Sequence, residues 1–157
     1  MFVYICKKVC YFCTEYKLLK MDFIKQFHSG WAYLTILMGV IFVVSTLVYA
    51  VSKKDTDNVI KKIGLFTTIS FHVQLLVGLV YYIMRFSNFE GGNIMSNAIL
   101  RLTFVEHPMM MIASVAFMTV ANAKLKRSTV VPMAVVIFAV VSMVCLLSRI
   151  PWNIWLG

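Results

Sequence analysis

Acidic residues are scarce: Asp and Glu together number six in 157 positions, and charged residues of both signs make up only 13%. A soluble domain carries about a quarter charged residues, so the usual solvated surface cannot be assembled from this composition. Proline occurs three times and glycine seven times, which excludes collagen and leaves no low-complexity linker. Four cysteines, three of them clustered near the start, give no disulfide framework. There is no H-E-x-x-H, no phosphate-binding glycine loop and no Ser/His/Asp arrangement arguable from spacing. Nothing supports hydrolysis or nucleotide use, and no independent catalytic activity is expected.

What fills the chain instead is apolar: 61% hydrophobic residues and a mean hydropathy of +0.86. Two uncharged runs, Trp31–Val51 and Ile63–Met84, exceed the roughly 20 residues needed to cross about 30 Å of hydrocarbon. A third, Pro108–Ala123, extends upstream through Ser96–His107, and Ser128–Ser148 is the fourth. Lipid demands that backbone groups be satisfied within each segment, and no alternating barrel pattern is present. The connectors SKKDTDNVIKK (52–62), RFSNFEGGN (85–93) and AKLKR (123–127) are short, which makes sequential helices antiparallel neighbours. The expected fold is all-α: a polytopic, four-helix up-down-up-down transmembrane bundle, one domain over residues 21–157. In its third helix Ser96 is the expected N-cap, and Pro108 predicts a kink or break at Glu106–His107. Pro132 falls in the first turns of the fourth, and Trp152 and Trp155 suit an aromatic belt.

The net charge of +9 is no nucleic-acid signal, because the basic residues sit at the ends of apolar runs. Seven of them (Lys53, Lys54, Lys61, Lys62, Lys124, Lys126 and Arg127) fall in two loops on one side. Four (Lys25, Arg85, Arg101 and Arg149) fall on the other. Both lysine loops are therefore expected in the cytoplasm and both termini outside. Lys7, Lys8, Lys17 and Lys20 spoil this count. Met21 begins MDFIKQFHSGW, a sensible start, so residues 1–20 read either as a mis-assigned start or as an interfacial tail.

In that tail Cys6, Cys10 and Cys13 have C-x3-C-x2-C spacing, which resembles the radical-SAM cluster motif over eight residues. The large α/β barrel of that family has no counterpart here, and zinc would need a fourth ligand. Cys145 reads as a small apolar residue inside the fourth helix.

The histidines carry more. His28 stands at the outer end of helix one, His72 in the middle of helix two, ten residues or about 15 Å past Lys62, and His107 toward the outer end of helix three. Ionisable residues within a span normally face the bundle interior. Each could be a neutral imidazole bonded to a neighbouring helix; three in a minimal bundle also point to a cofactor. Imidazole is an axial ligand of haem b, and the interior residues Phe, Leu and Met suit that ring. Helices one and three are diagonal in an up-down bundle, which ranks His28 with His107 first and leaves His72 as the replacement ligand. Second-partner candidates are Ser29, Thr103, Glu106 or a backbone carbonyl. Arg101 and Arg149 could hold haem propionates; the alternatives are an Arg–Glu pair with Glu106, or snorkelling to headgroups. Gln74 and Gly78 suit helix packing, and Gly78 equally a cofactor plane. Eleven methionines, among them Met109, Met110 and Met111, raise copper(I), but three consecutive helical residues point in three directions.

The motifs HSGWAYL, SFHVQLLVGLVYYI, RLTFVEHPMMM and LLSRIPW together resemble the small four-span membrane proteins of Bacteroidota called cytochrome B-like. The match runs from Met21 to the C-terminus. It implies a bacterial inner-membrane location, a haem b, and other membrane respiratory subunits as partners besides the lipid bilayer. A looser similarity is to one half of haem A synthase, where His28 is the one position that carries over. The cysteine pair and acidic residue of such enzymes lack counterparts, so haem modification is not expected. Two functions are thus in play: a haem-carrying electron-transfer or accessory subunit, or a non-catalytic subunit or assembly factor whose histidines only pack helices.

Overall fold

A computed structural model describes the backbone of residues 2–89 and 91–155, and the side chains of residues 19–89, 91–153 and 155. Cys6, Cys10 and Cys13 lie outside the described side chains. The described residues are helical and form no strand. Helix α1 spans Phe2–Val51 and α2 Asn58–Phe86. A short α3 (Ala98–Arg101) passes through a π-helical turn, Leu102–Glu106, into α4 (His107–Arg127). Helix α5 covers Met133–Ser148 and α6 Trp152–Trp155.

Local chemistry sets these boundaries. Asp57 caps α2 by accepting the backbone N–H groups of Val59 and Ile60 through Oδ1, both at 3.0 Å. Gly91 (φ 100°) and Gly92 (φ 145°) turn the chain through a region that side chains rarely adopt. The cap that follows is Asn97, not the expected Ser96. Asn97 Oδ1 reaches the N–H groups of Ile99 (3.0 Å) and Leu100 (3.1 Å), whereas Ser96 Oγ donates to the Asn93 carbonyl. Pro132 likewise caps α5 from outside, with φ −77° and ψ 149°, because its extended backbone precedes the first helical residue.

Among the described residues, three stretches are long and apolar enough to cross a membrane: Leu19–Val51, Asn58–Phe86 and Ala98–Arg127. Helix α5, with 16 residues, reaches about 24 Å at 1.5 Å per residue, short of the full hydrocarbon core. Residues 128–132, expected in the fourth helix, form a connector instead. Its backbone pairs with the 52–57 loop through the Asp55–Val130 bridge and a Thr56 N–H to Thr129 carbonyl bond of 2.7 Å.

The long helices pack in a ring: α1 on α2, α2 on α4, α4 on α5, and α5 back on α1. This leaves α1 and α4 facing each other across the diagonal. Phe42, Ile60, Phe71, Met118, Leu125 and Val135 are fully buried in the core. Small polar residues join the helices where the backbones come close. Ser114 and Ser142 donate to each other's carbonyls at 2.8 and 2.7 Å. Thr35 and Ser70 hydroxyls meet at 3.0 Å. The outer face is apolar, with Leu37, Ile41, Val44 and Val48 of α1 exposed, the surface a helical membrane bundle presents to lipid.

Candidate functional site

A cavity of about 450 Å³ opens between the middle of α1, the second half of α2, the π-helical turn with α4, and the segment after α5. Its size falls within the range of small-molecule sites, about 300–1,000 Å³. Phe71, Leu75, Met111, Val115 and Leu146 make an apolar wall, and His28, Gln74, Tyr81 and His107 supply the polar groups.

His28 projects from α1 onto Gly78 of α2. A Cβ on Gly78 would come within 2.8 Å of His28 Cε1 and 3.3 Å of Nδ1, so the ring occupies space that only glycine leaves open. Gln74 Nε2 donates to the His28 carbonyl at 3.1 Å and lies 3.4 Å from Nδ1. Its Oε1 is buried with no protein partner. Tyr81 stacks on the imidazole, with ring centres 6.2 Å apart and 26° between the planes.

His107 reaches the same cavity from the opposite helix. Pro108, at the start of α4, has no N–H to give the preceding turn. The backbone winds around that gap as a π turn in which the His107 N–H reaches the Leu102 carbonyl. At Glu106–His107, the place of the expected kink or break, helical backbone thus continues by way of a π turn. His107 Nδ1–H donates to the carbonyl of Arg149 at 2.9 Å, a group at the end of α5 that lacks a helical partner. A carbonyl only accepts, so the neutral ring keeps its lone pair on Nε2. The His28 and His107 ring centres are 6.4 Å apart, with planes at 89°.

The other candidates lie elsewhere. His72 is exposed on α2, and its Nδ1–H donates to the Thr68 carbonyl one turn back at 2.8 Å. Nothing brings it to the cavity. Arg101 and Arg149 are not among the lining residues either; both hold Glu106, at 3.0 Å (Nε to Oε1) and 3.5 Å (Nη1 to Oε2). Glu106 thus faces the arginines, and the partner of His107 is a backbone carbonyl. Met109 and Met111 line the cavity and Met110 does not. Among the described residues, no three His, Cys, Asp or Glu side chains converge as a metal site.

Sequence reasoning missed Lys25, Tyr81 and Arg85, all on the cavity wall. Spacing carried the signal. Lys25 is three residues before His28, while Tyr81 and Arg85 follow Gly78 by three and seven, each on one helical face. No protein-family profile, curated protein or solved structure matches the chain.

Proposed function

We propose that this protein is an integral membrane haem b protein of a bacterial inner membrane, an electron-transfer or accessory subunit with His28 and His107 as axial ligands. The separation of the two rings carries the reading. An imidazole nitrogen binds a metal ion at about 2.0–2.1 Å, and the ring centre lies about 1.1 Å behind it. Two imidazoles on opposite sides of one ion would have centres about 6.3 Å apart; the His28 and His107 centres, now in edge contact, are 6.4 Å apart. The Arg149 carbonyl holds His107 Nδ1–H, the second contact that metal-ligating histidines use to fix ring and tautomer. Haem b, when bound, would supply one-electron redox chemistry, and with both His28 and His107 holding the iron no position would be left for oxygen. The resemblance to cytochrome B-like proteins points the same way.

The bundle is read as up-down-up-down, with the lysine-bearing stretches 52–62 and 123–127 cytoplasmic and both termini outside. Seven basic residues in these stretches support the orientation, and the Asp55–Val130 pairing of the adjoining connectors puts both at one end of the bundle. Reporter fusions at Asn58 and Lys126 are expected to behave as cytoplasmic; a periplasmic result at either reverses it.

The functional test is a visible spectrum of the full chain purified from haem-sufficient cells. The expected result is a low-spin reduced spectrum that His107→Ala and His28→Ala each abolish or convert to high-spin. Well-folded protein without haem absorption overturns the reading. It leaves a subunit or assembly factor in which Gln74 and the Arg149 carbonyl simply hold two packing histidines.

A further inference from the structure

Resting on the haem reading, we infer that Lys25 and Arg85 form the carboxylate-binding end of the cavity and receive the acidic side chains of its occupant. The wall carries these two cations and, among the described residues, no carboxylate. Lys25 lies three residues before His28 on α1, and Arg85 four after Tyr81 on α2. Each cation is thus about one helical turn from an aromatic group of the polar cluster. The Arg85 guanidinium sits over the Phe104 ring, 5.4 Å from its centre, which holds the charge against the cavity wall.

The other arginines of this end are already engaged. Glu106 bridges Arg101 and Arg149, and Arg101 also donates to the Met95 carbonyl at 3.1 Å. These contacts join the π-helical turn to the end of α5, and neither arginine lines the cavity. An apolar pocket with two cations and no internal counter-charge suits a flat apolar ligand carrying two carboxylates. Arg85 offers paired donors for one, and Lys25 a mobile ammonium for the other.

The test compares two probes on the full chain purified without haem: iron protoporphyrin IX, which carries two free carboxylates, and its dimethyl ester. Wild-type protein is expected to bind the diacid about tenfold or more tighter than the diester, the size of one charge-assisted contact. The Lys25→Gln/Arg85→Gln double variant is expected to bind both equally with the low-spin spectrum retained. Arg101→Gln is expected to keep the wild-type preference. Equal binding of the two probes by wild-type protein, both low-spin, overturns this inference and leaves the axial histidines standing. Loss of the preference in Arg101→Gln, or its persistence in the double variant, moves the carboxylate site away from Lys25 and Arg85. A wild-type chain that gives no low-spin spectrum with either probe removes the haem reading and this inference together.

Discussion

Gly78 makes room for His28: the Cβ of any other residue at 78 would lie 2.8 Å from the imidazole Cε1. The nearest atoms are all in one ring, so Gly78→Ala forces that ring to move while the helices stay in register. Overpacking of this kind costs about 1–3 kcal/mol. The expected outcome is an unchanged helical content with haem affinity reduced about 10–100-fold, the usual effect of disturbing the support of a metal ligand. Titration of the purified variant, followed in the Soret band, measures it; wild-type affinity would show that the ring is not held by this contact.

His72 makes the opposite case. Its side chain is exposed and its Nδ1–H already satisfied within α2 by Thr68. His72→Ala is expected to leave the haem spectrum intact and to change stability by less than about 0.5 kcal/mol, as exposed substitutions usually do. Loss of the spectrum in this variant alone would transfer the ligand role to His72.

The helical class and three of the four membrane segments were legible because burial in lipid writes itself as uninterrupted apolar length. The ends were harder to read. Ser96 and Asn97 are both good caps by type, and only the turn geometry after Gly92 decides which oxygen reaches the free N–H groups. Pro108 announced an irregularity without saying that a π turn would absorb it. For the site, the diagonal helix argument could rank His28 with His107, because depth and face follow from spacing. Of the roles open to Arg101 and Arg149, the structure shows the pair with Glu106. Glu106, the one carboxylate that pairs with them among the described residues, holds both. The partner of His107 is a backbone carbonyl 42 residues away, and a carbonyl leaves no mark in the sequence.

Ser114 and Ser142 tie α4 to α5 at the cavity wall by exchanging hydroxyl-to-carbonyl bonds. Interhelical hydrogen bonds in membranes average about 0.6 kcal/mol and reach about 1.7. Each single alanine variant removes one donor and disturbs the 3.2 Å hydroxyl contact. A double-mutant cycle on Ser114→Ala and Ser142→Ala, read by unfolding in detergent or bicelles, is therefore expected to show coupling of about 0.5 kcal/mol or more. Strict additivity would mean that the two bonds act independently.

Asp57 links the pairing of the two loops to pH. Its carboxylate accepts the Ile60 N–H, the Tyr49 hydroxyl at 2.9 Å and the Val59 N–H, and Lys54 adds a favourable charge. These contacts, the Ile60 bond foremost, hold its pKa below the ordinary 3.8 despite some desolvation. The folded state therefore binds this proton less readily than the unfolded chain. The stabilisation is complete above the ordinary value and is lost as pH falls through the lower folded value. Because Asp57 caps α2 and lies two residues from the Asp55–Val130 bridge, its protonation loosens the start of α2 and the loop pairing together. Asp57→Asn keeps an accepting oxygen without the charge. The melting temperature of wild-type protein is expected to exceed that of Asp57→Asn at about pH 7, and the gap to narrow toward about pH 3. A gap that is absent at neutral pH, or that widens on acidification, would show that the charge on Asp57 is not what secures this end of the bundle.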